Sequence, residues 1–143
     1  MTDSADLPTG EIAAFPGVES GKKFVLGSQE PKIDHCMIMN DDPASIPIDT
    51  RDSPLRKLCS FYHPDTKMHF EALSTEPAFQ MYTGEYINVK DAQGNQVYGK
   101  RAGFCVEASR YINAGNVDKW RDMVLLKKGQ KWGSKTVYRG WKG

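Results

Sequence analysis

Long apolar runs, closely paired cysteines and an excess of one charge are all missing from this 143-residue sequence. No stretch approaches the roughly 20 apolar residues that a membrane-spanning helix needs, so we expect no membrane segment. The chain has 19 basic and 18 acidic residues, and this balance gives no bulk attraction for nucleic acid or a membrane surface. Residues 1–6 lack the basic and apolar segments of a signal peptide. We therefore expect a cytoplasmic protein.

The three cysteines, Cys36, Cys59 and Cys105, lie far apart in separate strand-like runs. Widely spaced cysteines without a Cys-x-x-Cys pair indicate buried, reduced thiols rather than a disulfide framework. Neither these cysteines nor the three histidines show the ligand spacing of a zinc site. We therefore expect no metal.

Glycine and proline are plentiful, with 13 and 8 residues, and they divide the sequence into short segments. Such punctuation favours short strands over long helices. The turn at 63–66 contains Pro64 and Asp65, which favour a hairpin, and residues 67–74 alternate with a period close to two. A single helical turn is predicted at 117–120. The predicted strands are 33–40, 58–62, 67–74, 78–84, one ending at Glu107, 123–126 and 135–141. The pattern predicts one all-β domain over residues 1–143, a sandwich or barrel.

The stretch from Arg101 to Tyr111 contains the carboxylate of greatest interest. Residues 104–106 are apolar and β-favouring, which predicts a buried strand, and Glu107 is predicted to end it. A carboxylate at such a position either points into water or is desolvated, and desolvation raises its pKa toward that of a useful general base. Both interpretations remain open from spacing alone. Gln80, in the middle of another predicted strand, is likewise either a structural amide or a ligand contact.

Four motifs occur in order along nearly the whole chain: LPTGEI at 7–12, IDH at 33–35, FQMYTG at 79–84 and GFCVE at 103–107. Together they resemble the aldose 1-epimerases, or galactose mutarotases, and in particular the fungal members. The segment from 124 to 138 also looks like the last two strands of that family. The resemblance covers the C-terminal half of the family fold, and it implies part of a galactose mutarotase-like β-supersandwich.

The resemblance implies interconversion of the α and β anomers of hexoses such as galactose and glucose, with no cofactor and no metal. It assigns Glu107 as the general base on the C1 hydroxyl, and Asp34 and Gln80 as residues that hold sugar hydroxyls. A carboxylate in a tuned environment suits proton transfer near neutral pH. Carboxylates and amides each form several hydrogen bonds to vicinal hydroxyls.

The family's acid histidine, its second sugar-binding histidine and its arginine lie on an earlier half of the fold, which this sequence lacks. His35, His63 and His69 are predicted to be structural or exposed. We therefore expect a sugar-binding chain that forms a dimer or needs a complementary N-terminal half. The alternative is a catalytically inactive β-sandwich that binds a sugar or a protein partner. A hexose-6-phosphate epimerase ranks third, because the basic residues needed for a phosphate are only scattered.

Overall fold

The computed structural model describes residues 1–5, 7–19 and 21–143. In these ranges the regular structure consists of strands and short 3₁₀ segments, which confirms the all-β prediction. The 3₁₀ segments are Pro43–Ser45, Ala114–Asn116 and Asp118–Met123. The strands are β1 (Asp34–Ile38), β2 (Arg56–His63), β3 (Met68–Ser74), β4 (Ala78–Tyr82), β5 (Val89–Lys90), β6 (Gln96–Tyr98), β7 (Cys105–Ser109) and β8 (Thr136–Lys142). None of the helical segments in the described ranges is long and apolar enough to cross a membrane.

The strands form two antiparallel three-stranded sheets and one small hairpin. The first sheet has the order β1-β4-β7, and the second has the order β2-β3-β8. The hairpin β5-β6 projects from the connection between β4 and β7. β4 and β3 are therefore the central strands of their sheets, and the other four strands lie at the edges.

The β2–β3 hairpin forms where the turn chemistry predicts it. His63 pairs with Met68, and Thr66 donates its backbone N–H to Nδ1 of His63 within the turn. Lys67 closes the turn with a φ of 58°. A β-bulge lies between Lys57 and Cys59, and it brings Leu58 and Cys59 to the same side of the sheet.

The main core lies between the two sheets. Alternate residues of the first sheet, including Met37, Phe79 and Met81, pack against Leu58 and Ala72 of the second. Because successive side chains of a strand point to opposite faces, the residues at 34, 36, 80, 82, 105 and 107 share the other face of the first sheet.

That other face is partly covered by the 3₁₀ segments. Trp120 and Met123 from the last segment pack with Ile46, Ala78 and Tyr111, and these five side chains are all buried. The rings of Tyr111 and Trp120 meet edge to face at 5.1 Å. This second core covers the end of the face near Ala78, and it leaves the end near residues 34, 80 and 107 open. The single helical turn predicted at 117–120 is confirmed by Asp118–Met123.

A buried ion pair joins the connection before β4 to the residue after β7. Nε of Arg110 lies 3.1 Å from Oε2 of Glu76, and the side chains are 10% and 3% exposed. Arg110 also donates from Nη2 to the carbonyl of Ile48 at 2.9 Å. Burial lowers the pKa of the Arg110 guanidinium, and the negative charge of Glu76 opposes this shift.

Two strand predictions are wrong. The run Phe104–Val106 is not buried, because β7 is an edge strand, and Glu107 lies in the middle of that strand rather than at its end. Residues 124–126 are irregular, and Leu125 and Leu126 are exposed. An apolar, β-favouring run forms a strand only where a neighbouring strand supplies backbone partners, and the described residues supply none there.

The prediction of buried thiols holds in part for two of the three cysteines and is wrong for the third. All three are free, Cys36 and Cys59 are half-buried, and Cys105 is exposed on β7. Burial raises the pKa of Cys36 and raises that of Cys59 to about 11, so both stay protonated at neutral pH. The edge position of β7 again explains the exception.

Candidate functional site

The three predicted site residues lie on the open face of the first sheet, one on each strand. Gln80 is central on β4, and its backbone partners are Glu107 on β7 and Cys36 on β1. Asp34 pairs with Tyr82, two residues further along β4. Directly opposite residues share a face with Cβ atoms about 5 Å apart, and diagonal neighbours lie within reach of long side chains. The register therefore places Glu107 directly opposite Gln80 and Asp34 diagonally next to it, so that the three side chains are neighbours on one face.

Gln80 and Asp34 are already in contact. Nε2 of Gln80 donates to Oδ1 of Asp34 at 2.8 Å. This contact uses one amide N–H of Gln80, and the side-chain carbonyl oxygen can still accept a hydrogen bond from another donor. The carboxylate and the amide thus fix each other's orientation before any ligand arrives.

Glu107 lies on the other side of Gln80, and it is exposed. Of the two interpretations that the sequence left open, the one in which this carboxylate faces water describes the structure. Asp34 is also exposed, and Gln80 is half-buried. Two carboxylates and an amide on an open sheet face accept and donate hydrogen bonds in several directions, which suits a ligand with neighbouring hydroxyls.

Tyr82 is the aromatic residue of this face. Phe79, Tyr111 and Trp120 are buried in the two cores, whereas Tyr82 is half-buried and lies between Asp34 and Cys105 in the register. Its hydroxyl accepts the backbone N–H of Tyr86 at 2.6 Å, which ties it to the turn after β4. Sequence alternation places Tyr82 on the face of Gln80, but only the strand register places it beside Asp34.

In the described part of the chain, the open face carries no histidine. His35 lies on the opposite face of β1, where its ring meets Phe15 edge to face at 4.6 Å and its Nδ1 accepts the backbone N–H of Asp34. His63 and His69 belong to the second sheet. The described residues also contain no group of three or more His, Cys, Asp or Glu arranged to hold a metal ion.

Three basic residues close in sequence to the ends of β1 and β7 are engaged in other contacts. Arg101 is almost fully buried and binds Glu85 at 2.7 Å, and Arg110 contacts Glu76. Nζ of Lys32 lies 3.6 Å from a carboxylate oxygen of Glu30. No cluster of free cations for a phosphate group is formed by these three residues.

The architecture is that of an antiparallel β-protein with a carboxylate–amide site on an open sheet face. Comparison with protein families identifies the family, because the model of the family described as aldose 1-epimerase matches residues 1–139. The chain belongs to the aldose 1-epimerase family.

Three relatives illustrate the likeness. The bifunctional protein GAL10 of Pachysolen tannophilus is 39% identical over 132 residues, which cover 92% of this chain and 17% of that protein. The uncharacterized isomerase YNR071C of Saccharomyces cerevisiae is 35% identical, over 97% of this chain and 40% of its own length. The galactose mutarotase of Sus scrofa is 30% identical, over 95% and 39%. The chain therefore spans well under half the length of each of these relatives.

Proposed function

We propose that this chain carries the general base and part of the sugar-binding surface of a hexose mutarotase, which interconverts the α and β anomers of galactose or glucose. The observation that supports this most is that Asp34, Gln80 and Glu107 are neighbours on one open sheet face, with Asp34 and Gln80 hydrogen-bonded at 2.8 Å. Family membership and the similarity to galactose mutarotases agree with it.

In the proposed reaction Asp34 and Gln80 hold hydroxyls of the sugar, and Glu107 takes the proton of the C1 hydroxyl. The bond between C1 and the ring oxygen breaks as an acid gives that oxygen a proton, and the open-chain aldehyde forms. Rotation about the C1–C2 bond turns the other face of the aldehyde to the ring oxygen. On closure Glu107 returns its proton to the C1 oxygen, and the proton on the former ring oxygen returns to the acid, so the enzyme is unchanged.

The acid of this reaction is proposed to come from outside the described site, because the open face carries no histidine in the described residues. We propose that a complementary N-terminal half, or a second copy of the chain, completes the site, and that the protein works in the cytoplasm on a free sugar.

Polarimetry of fresh α-galactose tests the proposal directly. Together with the partner that supplies the acid, a second copy or a complementary N-terminal half, the chain is expected to accelerate the change in optical rotation above the uncatalysed rate. The chain itself is expected to bind galactose at least as tightly as galactose 6-phosphate. Galactose 6-phosphate is not expected to bind more tightly than galactose, because Lys32, Arg101 and Arg110 already contact carboxylates and a phosphate needs free cations. Tighter binding of the phosphorylated sugar would favour the hexose-6-phosphate epimerase instead.

A catalytically inactive sugar- or partner-binding module is the second candidate. The observation that favours it is the absence of a histidine from the open face of the described sheet. It predicts galactose binding without acceleration, or neither, from a chain that is folded by circular dichroism. Polarimetry and a binding titration on one preparation distinguish the two candidates.

Self-association is expected from the unpaired strand edges. In the described residues β1, β2, β7 and β8 each have one edge without a partner, and exposed edges invite pairing. Exposed apolar side chains, including Val25, Leu126 and Trp132, add to this tendency. Light scattering after gel filtration should give a mass above that of the 16.0 kDa monomer, or aggregation. A monomer that melts cooperatively would contradict this expectation.

A further inference from the structure

Arg101 forms a buried hydrogen-bonding hub close to the start of β1. Its side chain is only 7% exposed, although a buried guanidinium is costly unless it is paired and hydrogen-bonded. Nη1 donates to Oε1 of Glu85 at 2.7 Å, to the carbonyl of Pro31 at 3.1 Å and to Oγ1 of Thr83 at 3.3 Å. Nη2 donates to the carbonyl of Gly27 at 2.8 Å. One side chain thus joins the segment before β1 to the residues that follow β4.

The backbone at Arg101 is held just as firmly. Its φ is 61°, a left-handed conformation that residues with a side chain rarely adopt, and its N–H donates to the carbonyl of Gly84 at 2.7 Å. Gly84 has a φ of 77°, and a Cβ there would clash with the carbonyl of Gly103. A residue keeps such a conformation when the surrounding contacts determine its position, and the four acceptors of the Arg101 side chain provide those contacts.

Thr83 carries this restraint to the residue before Asp34. The N–H of Ile33 donates to Oγ1 of Thr83 at 3.0 Å, and the N–H of Thr83 donates to the carbonyl of Ile33 at 2.8 Å. The hydroxyl of Thr83 also donates to that carbonyl at 3.2 Å. Ile33 is 1% exposed, so these polar groups are closed off from water. Arg101, Thr83 and Ile33 form a continuous chain of contacts that ends where Asp34 begins β1.

Asp34 needs such a restraint because few contacts of its own hold it in place. It is exposed, it begins an edge strand, and its carboxylate contacts Gln80 through one hydrogen bond. The ends of edge strands open most easily, because few buried contacts hold them.

We propose that Arg101 is the positioning residue for Asp34, and that it sets sugar affinity by fixing the start of β1 through Thr83. The inference rests on the proposed function, since it assumes that Asp34 holds a sugar hydroxyl. Arg101 lies at the Asp34 end of the first sheet and makes no contact with Glu107. Its loss should therefore raise KM and the Kd for galactose, and leave kcat and the pH profile of kcat unchanged.

The test compares R101M, R101K and T83V with R139M, a control on β8 of the second sheet. Two readouts are measured: the NMR resonances of the Gln80 side-chain amide without sugar, and the Kd for galactose. R101M and T83V should shift the Gln80 amide, speed hydrogen exchange at the Ile33 N–H, and weaken galactose binding between about tenfold and 100-fold, the effect of a small misplacement. R101K, which keeps the charge but not the fork of donors, should fall between R101M and the unmodified chain.

Unchanged Gln80 resonances and an unchanged Kd in folded R101K and T83V would overturn the proposal, even if R101M failed to fold. A shift of equal size in R139M would overturn it as well. If the unmodified chain binds no galactose, the proposed function fails, and the sugar-free readouts alone then decide whether Arg101 positions Asp34.

Discussion

Replacing Arg110 with methionine is expected to lower the free energy of unfolding by about 3–5 kcal/mol, the usual cost of removing one partner of a buried ion pair. Glu76, 3% exposed, would be left inside the protein with no cation beside it. The contact is also imperfect, because no hydrogen bond to either carboxylate oxygen of Glu76 is found among the described residues. The pair is thus held by charge, and removing one charge leaves the other uncompensated. Urea unfolding followed by circular dichroism measures the change.

Two further variants separate this cause from a simple loss of packing. The double variant E76M/R110M removes both charges and should recover most of the lost stability, because an apolar pair of similar size often replaces a buried ion pair at no net cost. R121M removes an exposed arginine that pairs with Asp118, and should cost at most about 1 kcal/mol. A double variant as unstable as R110M would show that the charge pair is not the reason.

Replacing Glu107 with glutamine is expected to reduce any acceleration of mutarotation by about 10²–10⁴-fold, the usual contribution of a positioned general base. Glutamine keeps the shape and the hydrogen-bonding reach of the side chain but cannot take a proton. Because Asp34 and Gln80 remain, the affinity for galactose should change little. The loss should therefore appear in kcat rather than in KM. Polarimetry over a range of galactose concentrations separates the two parameters.

Glu71 provides a matched control for this variant. It also lies within a strand, on the central strand of the second sheet, where it pairs with Lys57. E71Q should leave the rate unchanged. An E107Q chain as active as the unmodified one would remove Glu107 from the reaction, and equal losses in both variants would indicate a general effect of removing a carboxylate.

Most strands are predictable from local sequence, because turn residues and apolar runs mark where they begin and end. The turn containing Pro64 and Asp65 marks the β2–β3 hairpin, and the apolar runs mark β1 and β4. The run Phe104–Val106 carries the same signal but lies on an edge strand. Burial depends on how many neighbours a strand has, and composition does not contain that information. For the same reason residues 124–126 are β-favouring in sequence and irregular in the structure.

The candidate site shows the same limit. The types of Asp34, Gln80 and Glu107 suggest hydrogen bonding and proton transfer, and the family resemblance assigns their roles. Their contact depends on the register of three strands that are far apart in sequence. A shift of one residue in either pairing would turn a side chain to the opposite face. The Arg101 hub is harder still to predict, because its acceptors are two backbone carbonyls, a threonine hydroxyl and the carboxylate of Glu85, a combination that has no sequence signature.

The placement of the three tryptophans gives the chain a set of built-in optical probes. Trp120 is 5% exposed and lies in the second core, which covers the Ala78 end of the open face and also contacts Cys36, the backbone partner of Gln80. Trp132 is 58% exposed, and Trp141 stacks on His69 at 4.9 Å in the second sheet. Emission from Trp120 therefore reports on the sheet that carries the candidate site, while Trp141 reports on the other sheet. Single-tryptophan variants would show by fluorescence whether the two sheets unfold together or one after the other.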